Sequence, residues 1–284
     1  MAPPRPALPG IVPERVRTVL CDLDGVVWLA HQPIPGSVEA LERLRAGGRR
    51  VLFVTNNSAA RITEQEAALA AIGIEAVDDV VTSSQAAASL LAPGDRALVT
   101  GGPGVAEAIE RAGAVAVAND GTSDPGPVDA VVVGRDRRFD FDRLAVAASA
   151  LHAGARLIAT NDDATFPTPQ GLEPGGGAIV AAVATAGETT PVIAGKPHEP
   201  MARLIAELLR PGSDPFDPGT AVMVGDRPST DGLFAATLGC PFALVRSGVL
   251  APGEPAPAEL PVAADLADLA QLADRLSAAP PTPG

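Results

Sequence analysis

The sequence predicts an α/β fold with a parallel sheet wrapped by helices and a second α/β domain inserted into the first. Three observations support this prediction. Short β-rich runs alternate with Ala-rich helical stretches along almost the whole chain, which is the pattern of a helix-covered parallel sheet. Residues 92–95, Ala-Pro-Gly-Asp, interrupt the alternation. The chain has 284 residues and is 46% hydrophobic, enough for two domains with cores of their own.

The first domain is predicted to start with a strand at residues 16–21. Ser37 is the expected N-cap of the helix that follows, and Gly47 with Gly48 ends that helix. Thr63 and Glu66 form an expected capping box for a second helix. The predicted elements in order are a strand at 16–21, a helix at 38–46, a strand at 51–55, a helix ending at Gly73 and a helix at 84–91, with strands at 192–194, 221–224 and 242–245 after the insertion.

The inserted domain is predicted to repeat the same alternation. Its expected strands lie at 97–100, 114–118, 130–133 and 157–160, and its expected helices at 105–112, 141–153 and 178–185. These elements place the predicted domain boundaries. The core comprises residues 14–92 and 188–277, the inserted domain comprises 93–187, and the Pro-rich residues 1–13 and the end at 278–284 are flexible tails.

Charge and composition exclude several classes of function. The chain has 21 basic and 34 acidic residues, a net charge of −13, which argues against binding to nucleic acid or to an anionic membrane. No apolar run approaches the roughly 18 to 20 residues that span a bilayer. The only cysteines, Cys21 and Cys240, lie in apolar segments. A disulfide framework is therefore not expected, and the predicted location is cytoplasmic.

Two carboxylates directly follow the first predicted strand, in the sequence Asp22-Leu23-Asp24-Gly25-Val26. Side chains alternate along a strand, so Asp22 and Asp24 are expected to share one face. Paired acids at a strand end suit the binding of a hard cation and nucleophilic attack on an electrophile. The alternative is a polar turn that closes a buried strand, because Asp-x-Asp-Gly is also common in turns.

Three further strand ends carry polar groups. Thr55-Asn56-Asn57-Ser58 follows the strand at 51–55, and Gly225-Asp226 with Asp231 follows the strand at 221–224. Lys196 follows the short run at 192–194 and is the single lysine in a chain that otherwise uses arginine. Ligands bind beyond the carboxyl ends of the strands in an open parallel sheet, so these clusters are expected to converge.

In this order, Asp-x-Asp-Gly-Val, strand-Thr-Asn, Gly-Lys-Pro and Gly-Asp-x₄-Asp resemble the motifs of the haloacid-dehalogenase-like (HAD) superfamily of phosphatases. The resemblance covers nearly the whole chain. The large insertion between the second and third motifs is similar to the NagD-like branch, to which chronophin-like and glycerol-phosphate phosphatases belong. The resemblance implies a Rossmann-like HAD core with an inserted α/β cap domain of type 2A.

The resemblance also implies a role for each matching residue. Asp22 is the implied nucleophile, which forms an aspartyl-phosphate, and Asp24 the implied acid and base. Lys196 neutralises the charge of Asp22 and of the phosphoryl group. The implied cofactor is Mg²⁺, held by Asp22, the backbone carbonyl of Asp24 and Asp226, with Asp231 either a direct ligand or a residue that steadies the water shell of the ion. The implied substrate-binding residues are Thr55, Asn56, Asn57, Lys196, Asn161 and Asp162.

The expected substrate is a small phosphorylated metabolite. The loop at 160–163 and the glycines at 175–177 match the substrate-facing loop of this branch. The chain has no Tyr and a single Trp, Trp28, so a polyol or sugar phosphate such as glycerol phosphate is favoured over a base-containing ligand. The alternatives are a pyridoxal-phosphate or nucleoside-monophosphate phosphatase, a phosphomutase and a catalytically inactive binding module. A homodimer formed through the cap is also possible in this branch.

Overall fold

The computed structural model describes residues 10–168, 171–250, 253–256 and 262–279. The chain forms two compact units, each built on its own sheet. Among the described residues, the first unit comprises those within 10–55, 66–81 and 205–279, and the second comprises those within 56–65 and 82–204. The domain boundaries expected from the sequence stay a prediction.

The described elements are numbered in chain order. The strands are β1 (Thr18–Cys21), β2 (Trp28–Leu29), β3 (Gln32–Pro33), β4 (Arg50–Thr55), β5 (Val80–Thr82), β6 (Arg96–Thr100), β7 (Val115–Ala118), β8 (Ala130–Val133), β9 (Arg156–Ala159), β10 (Thr165–Thr168), β11 (Gly171–Pro174), β12 (Val192–Ile193), β13 (Ala221–Gly225), β14 (Phe242–Val245) and β15 (Ala264–Leu266). The helices are α1 (Ser37–Ala46), α2 (Ile62–Ala71), α3 (Ser83–Ala88), α4 (Pro103–Arg111), α5 (Phe141–His152), α6 (Gly176–Ala186), α7 (Glu199–Leu208), α8 (Leu233–Leu238) and α9 (Leu269–Ser277). None of the helices so described is long and apolar enough to cross a membrane.

The first unit contains a six-stranded sheet in the order β15-β14-β13-β1-β4-β5. Strand β1 lies between β13 and β4 and is parallel to both. Its four residues are all buried, which suits an apolar strand in the middle of a parallel sheet. Cys21, the last residue of β1, pairs with Val224 of β13 and Phe53 of β4. The carboxyl ends of these three strands are therefore nearly level.

The second unit contains a five-stranded parallel sheet in the order β12-β9-β8-β6-β7. Its core includes Leu98, Val131 and Leu157 from the strands and Leu151 and Val183 from α5 and α6. The mixed α/β architecture with parallel sheets confirms the fold class predicted from the sequence.

The strand predicted at 192–194 belongs to a different sheet from the one expected. It was expected to resume the first domain, but Val192 pairs with Ile158 and Ile193 with Ala159 of β9, in the second sheet. The reason is the connection between these two strands. After β9 the chain forms the β10–β11 hairpin and α6, and β12 then returns beside β9 and parallel to it, as strands joined by a crossover helix commonly do.

The start of α1 differs from the prediction that Ser37 caps the helix. Gly36 is the N-cap, in a left-handed conformation with φ 82°, and no side chain caps the helix. The Ser37 hydroxyl instead donates a hydrogen bond to the Val27 carbonyl at 2.8 Å. A buried serine with this tertiary partner is not available for local capping.

The start of α2 also differs from the predicted capping box of Thr63 and Glu66. The helix begins at Ile62, one residue before Thr63. The backbone N–H of Arg61 donates to the Glu64 carboxylate at 2.9 Å. A glutamate in the first turn therefore satisfies the donor that precedes the helix, two residues earlier in the chain than expected.

Candidate active site

Three carboxylates of the first unit lie together at the carboxyl edge of its sheet. Asp22 directly follows β1, and Asp226 directly follows the neighbouring strand β13. Asp231 comes from the π-helical segment Pro228–Gly232. One oxygen from each carboxylate lies within 4.8 Å of the other two. The sequence motifs at these two strand ends are thus brought together by the register of β1 and β13.

Asp226 is almost completely buried, with 2% of its surface exposed, as is Asp231 at 1%. Its Oδ2 accepts a hydrogen bond from the Val249 backbone N–H at 2.7 Å. Among the described residues, its buried Oδ1 has no hydrogen-bond partner. Burial, together with the charges of Asp22 and Asp231, raises the pKa of Asp226 to about 7. The nearby positive charge of Arg227 lowers this pKa by less than burial and the two acids raise it.

These residues fit a divalent cation such as Mg²⁺. Mg²⁺ prefers carboxylate and carbonyl oxygens, and it is usually bound through one or two carboxylates together with water and substrate phosphate. A cation at this cluster would satisfy the unpartnered Asp226 oxygen and offset the mutual repulsion of the three acids. The donor set is all oxygen, which disfavours zinc or another metal that prefers nitrogen or sulfur.

Asp24 lies two residues beyond Asp22, as the strand pattern predicts. Leu23 between them is 1% exposed, whereas Asp22 and Asp24 are both partly exposed. After Asp24 the chain turns tightly, and the Gly25 N–H donates to the Trp28 carbonyl at 2.8 Å. The alternation of burial indicates that both acids point away from the core.

Glycines surround the carboxylate cluster because no side chain fits there. Gly25 has φ +86°, and a Cβ at this position would lie 2.3 Å from Asp226 Oδ2. A Cβ at Gly248 would lie 2.1 Å from the same oxygen. At Gly225, a Cβ would approach Asp231 Oδ2 to 2.2 Å. The backbone therefore packs closely against the Asp226 and Asp231 carboxylates and leaves them little room to move.

Replacing Gly25 with alanine is expected to weaken Mg²⁺ binding by about tenfold or more, because the methyl group displaces the Asp226 carboxylate. Isothermal titration with Mg²⁺ measures this change. Gly94→Ala is the matched control, since Gly94 has a similar φ of +87° but nothing within 4 Å of its Cβ position. The control should lose only the roughly 1 to 2 kcal/mol of backbone strain. Equal Mg²⁺ affinity in Gly25→Ala and wild type would contradict this account of the cluster.

The second unit holds Lys196 in a buried loop after β12. The Lys196 side chain is 1% exposed. Its backbone N–H donates to Asn56 Oδ1 at 2.9 Å, and its carbonyl accepts from Asn56 Nδ2 at 2.9 Å. Asn56 directly follows Thr55, the buried last residue of β4, where the chain passes into the second unit. The second and third sequence motifs thus meet at Asn56 and Lys196.

The other predicted substrate-binding residues take part in local loop structure. Asn161 is 4% exposed, and its Nδ2 donates to the Asn56 carbonyl at 2.9 Å. Asn57 Oδ1 accepts from the Ala59 N–H at 3.1 Å. Asp162 is exposed, and its Oδ2 lies 3.1 Å from Nε2 of His198. That hydrogen bond lowers the pKa of Asp162. The roles of these residues toward substrate stay predictions.

The glycines at the start of α6 allow a close approach of backbone to backbone. A Cβ at Gly175 would lie 2.1 Å from the Asp163 carbonyl oxygen, and one at Gly177 would lie 2.3 Å from that of Asp162. The Gly177 N–H donates to the Asp163 carbonyl at 2.9 Å. Packing of the loop at 160–163 against the helix therefore explains these glycines.

Three residues at this site were not among the predicted site residues. The Ser247 hydroxyl donates to the Gly25 carbonyl at 2.7 Å, while Gly248 and Val249 contact Asp226 through a close approach and a hydrogen bond. They follow the buried strand β14, so their position at another strand end is the signal that could have identified them.

Comparisons with known proteins agree with this architecture. Residues 19–115 match the family model described as haloacid dehalogenase-like hydrolase, and residues 193–269 match a second model described as HAD-hydrolase-like. D-glycerol 3-phosphate phosphatase of Mycobacterium tuberculosis is 40% identical over 81% of this chain, and the match covers 63% of that protein's length. Chronophin of Bos taurus is 36% identical over 83% of this chain and 82% of its own length.

Among solved structures, glycerol phosphate phosphatase from Mycobacterium tuberculosis in complex with magnesium superposes with a TM-score of 0.74. It is 37% identical, and the match covers 85% of this chain and 71% of that chain. Fold, motif order and relatives agree with the family expected from the sequence. The chain belongs to the haloacid dehalogenase-like hydrolase family.

Proposed function

We propose that this chain is a Mg²⁺-dependent phosphatase that hydrolyses small phosphate monoesters through an aspartyl-phosphate on Asp22. The favoured substrate is a polyol or sugar phosphate such as glycerol phosphate. The observation that carries the proposal is the cluster of Asp22, Asp226 and Asp231, in which Asp226 is buried and has an oxygen without a partner among the described residues. Such a cluster needs a cation, and its partly exposed member Asp22 is the candidate nucleophile.

The chemistry proceeds in two displacements at phosphorus. The Asp22 carboxylate attacks phosphorus, the new O–P bond forms and the bond to the ester oxygen breaks, while Asp24 donates a proton to the departing alcohol. Asp24 then accepts a proton from a water molecule that attacks the aspartyl-phosphate. The acyl-phosphate O–P bond breaks, inorganic phosphate leaves and the Asp22 carboxylate is regenerated.

The remaining proposed residues bind and balance charge. Thr55 donates its hydroxyl to a phosphoryl oxygen, assisted by the backbone amide of Asn56 and by Asn57, and Lys196 neutralises phosphoryl charge. A buried ammonium acts strongly because little water screens it. Asp22, the Asp24 carbonyl, Asp226 and Asp231 would hold Mg²⁺, which would supply positive charge that lowers the repulsion between phosphate and the acids.

The substrate preference is supported by composition and by the named relatives. Trp28 is the only tryptophan of a chain that lacks tyrosine, and it is 1% exposed. It is therefore not available to stack on a nucleobase or pyridine ring. The mycobacterial relative is named for glycerol 3-phosphate, which supports a small polyol phosphate. Asn161 and Asp162 are the side chains proposed to bind its hydroxyl groups.

A phosphate-release assay with glycerol phosphate, sugar phosphates, pyridoxal phosphate and nucleoside monophosphates tests the proposal. We expect release that needs Mg²⁺, stops with excess chelator and returns when Mg²⁺ is restored, with the highest kcat/KM for glycerol phosphate or a sugar phosphate. Metal-independent turnover would refute the mechanism. A highest kcat/KM for pyridoxal phosphate or a nucleotide would overturn the substrate ranking. Transfer to a second hydroxyl without net release would identify a phosphomutase, and no turnover would favour a binding module.

We also propose a homodimer formed through the inserted domain and a cytoplasmic location. The family resemblance supports the homodimer, and the cysteine usage supports the cytoplasmic location. Light scattering of the full chain after size-exclusion chromatography measures the mass in solution, and a monomer at micromolar concentration would contradict the dimer.

A further inference from the structure

We propose that the side-chain amide of Asn56 is a positioning residue for Lys196 and acts on the reaction through that lysine. The inference rests on the function proposed above, in which Lys196 supplies positive charge to the phosphoryl group. It assigns the Asn56 side chain a task different from direct contact with phosphate. The observations that carry it all lie within the second unit.

The side-chain amide of Asn56 forms two hydrogen bonds with the backbone of Lys196. Its Oδ1 accepts from the Lys196 N–H and its Nδ2 donates to the Lys196 carbonyl, both at 2.9 Å. One planar amide thus pairs with both polar backbone groups of a single residue. This pairing fixes the peptide planes on both sides of the Lys196 Cα. It therefore also fixes the direction of the Cα–Cβ bond of Lys196.

The orientation of the Asn56 amide is defined, because Asn56 makes further hydrogen bonds to other residues. Its Nδ2 also donates to Asp163 Oδ2 at 3.0 Å. Its backbone carbonyl accepts from Asn161 Nδ2 and from the Ser83 hydroxyl, each at 2.9 Å. Because Asp163 and the Lys196 carbonyl both require a donor, only one orientation of the amide satisfies the network.

The neighbouring glycine shows how closely the two segments fit. A Cβ at Gly195 would lie 2.6 Å from Asn56 Oδ1 and 2.5 Å from the Thr160 carbonyl oxygen. The Gly195 N–H donates to that same carbonyl at 2.8 Å. The loop before Lys196 therefore has almost no freedom to shift while Asn56 is in place.

Placement matters for this lysine because its long side chain is buried at 1% exposure. An ammonium on four methylene groups reaches a fixed point only when the backbone that carries it is fixed. Misplacing a charged group by about 1 Å can cost roughly 10²-fold in rate. Loss of the Asn56 amide should therefore lower catalysis even where the fold survives.

A double-mutant cycle on the full chain tests the inference, with p-nitrophenyl phosphate and Mg²⁺ as the assay. Asn56→Ala is expected to lower kcat/KM by roughly 10- to 100-fold in the wild-type background. In the Lys196→Ala background the same substitution should change kcat/KM by less than about threefold, because the group it positions is gone. Thermal melting of each variant records the change in stability separately.

Asn119→Ala is the matched control. Asn119 is a buried asparagine of the same unit, and its Nδ2 donates to the Arg143 carbonyl at 2.9 Å and to Thr100 Oγ1 at 3.1 Å. Its loss should lower the melting temperature and leave kcat/KM within about threefold of wild type. Asn56→Ser repeats the cycle if Asn56→Ala does not fold.

The outcomes separate this inference from the proposed function. A wild-type protein without phosphatase activity refutes the proposed function. If wild type is active but the effects of the Asn56 and Lys196 substitutions on kcat/KM simply multiply in the double mutant, the positioning role alone is overturned. Failure of both Asn56 variants to fold, while Asn119→Ala folds, would also overturn it, because Asn56 would then serve the fold.

Discussion

Asp22→Asn is expected to lower kcat by at least about 10⁴-fold with every substrate, because an amide cannot form the phosphoryl-enzyme bond. The fold should survive, since Asp22 is only partly buried and asparagine has almost the same shape. Steady-state phosphate release from p-nitrophenyl phosphate with saturating Mg²⁺ measures the loss. Circular dichroism and thermal melting confirm that the variant is folded.

Asp24→Asn is the informative companion to this variant. It keeps the Asp22 nucleophile and removes the group proposed to deprotonate water, so a phosphorylated protein should accumulate with p-nitrophenyl phosphate, whose leaving group needs no protonation. Mass spectrometry of the intact protein detects the phosphoryl adduct. If the Asp22→Asn variant became phosphorylated, or if its turnover lay within tenfold of wild type, Asp22 would not be the nucleophile.

Metal-free protein is expected to become less stable as the pH rises from 5 to 8. The pKa of Asp226 is about 7 in the folded protein against an ordinary value of 3.8. A raised folded-state pKa means that the folded protein holds the proton more tightly than the unfolded chain, so this stabilisation is complete below about pH 4 and is lost as the pH rises through 7. Over pH 5 to 8 the loss from this group is about 3 kcal/mol.

Urea denaturation in excess chelator at several pH values measures the free energy of unfolding. Asp226→Asn has no carboxyl at this position, so the difference between wild type and variant isolates its contribution. Added Mg²⁺ should stabilise wild type more at pH 8 than at pH 5, because protons and the cation compete for the same carboxylates, and it should stabilise Asp226→Asn little at either pH. If the difference in free energy of unfolding between metal-free wild type and metal-free Asp226→Asn stays constant from pH 5 to 8, the prediction is wrong.

The carboxylate cluster could be predicted because it depends on few structural facts. Asp22 and Asp226 each end an apolar strand, and neighbouring parallel strands align their carboxyl ends. Motif spacing was therefore enough to expect Asp22, Asp226 and Asp231 together. Gly248 and Val249 also follow a strand end, but their contacts with Asp226 depend on the path of the loop, and neither residue has a titratable side chain that would have marked it.

The errors at the two helix starts have different physical causes. Ser37 was expected to cap α1, but its hydroxyl bonds the Val27 carbonyl. Thr63 was expected to cap α2, but that helix starts one residue earlier and the Glu64 carboxylate accepts from the Arg61 N–H. Strand β12 has two residues, too few for its own sequence to specify a sheet. The strands β2, β3, β5, β10, β11 and β15 and the helices α7, α8 and α9 were not predicted, and none of these strands is longer than four residues.

The membership of β12 in the second sheet has a practical consequence for building chimeric enzymes. A graft cut at residues 93 and 187, the boundaries suggested by sequence, would remove β12 from its pairing with β9. A graft that exchanges residues 56–65 together with 82–204 keeps the whole unit intact. Such a transplant moves Lys196 with its own loop and leaves the recipient's three acidic residues untouched.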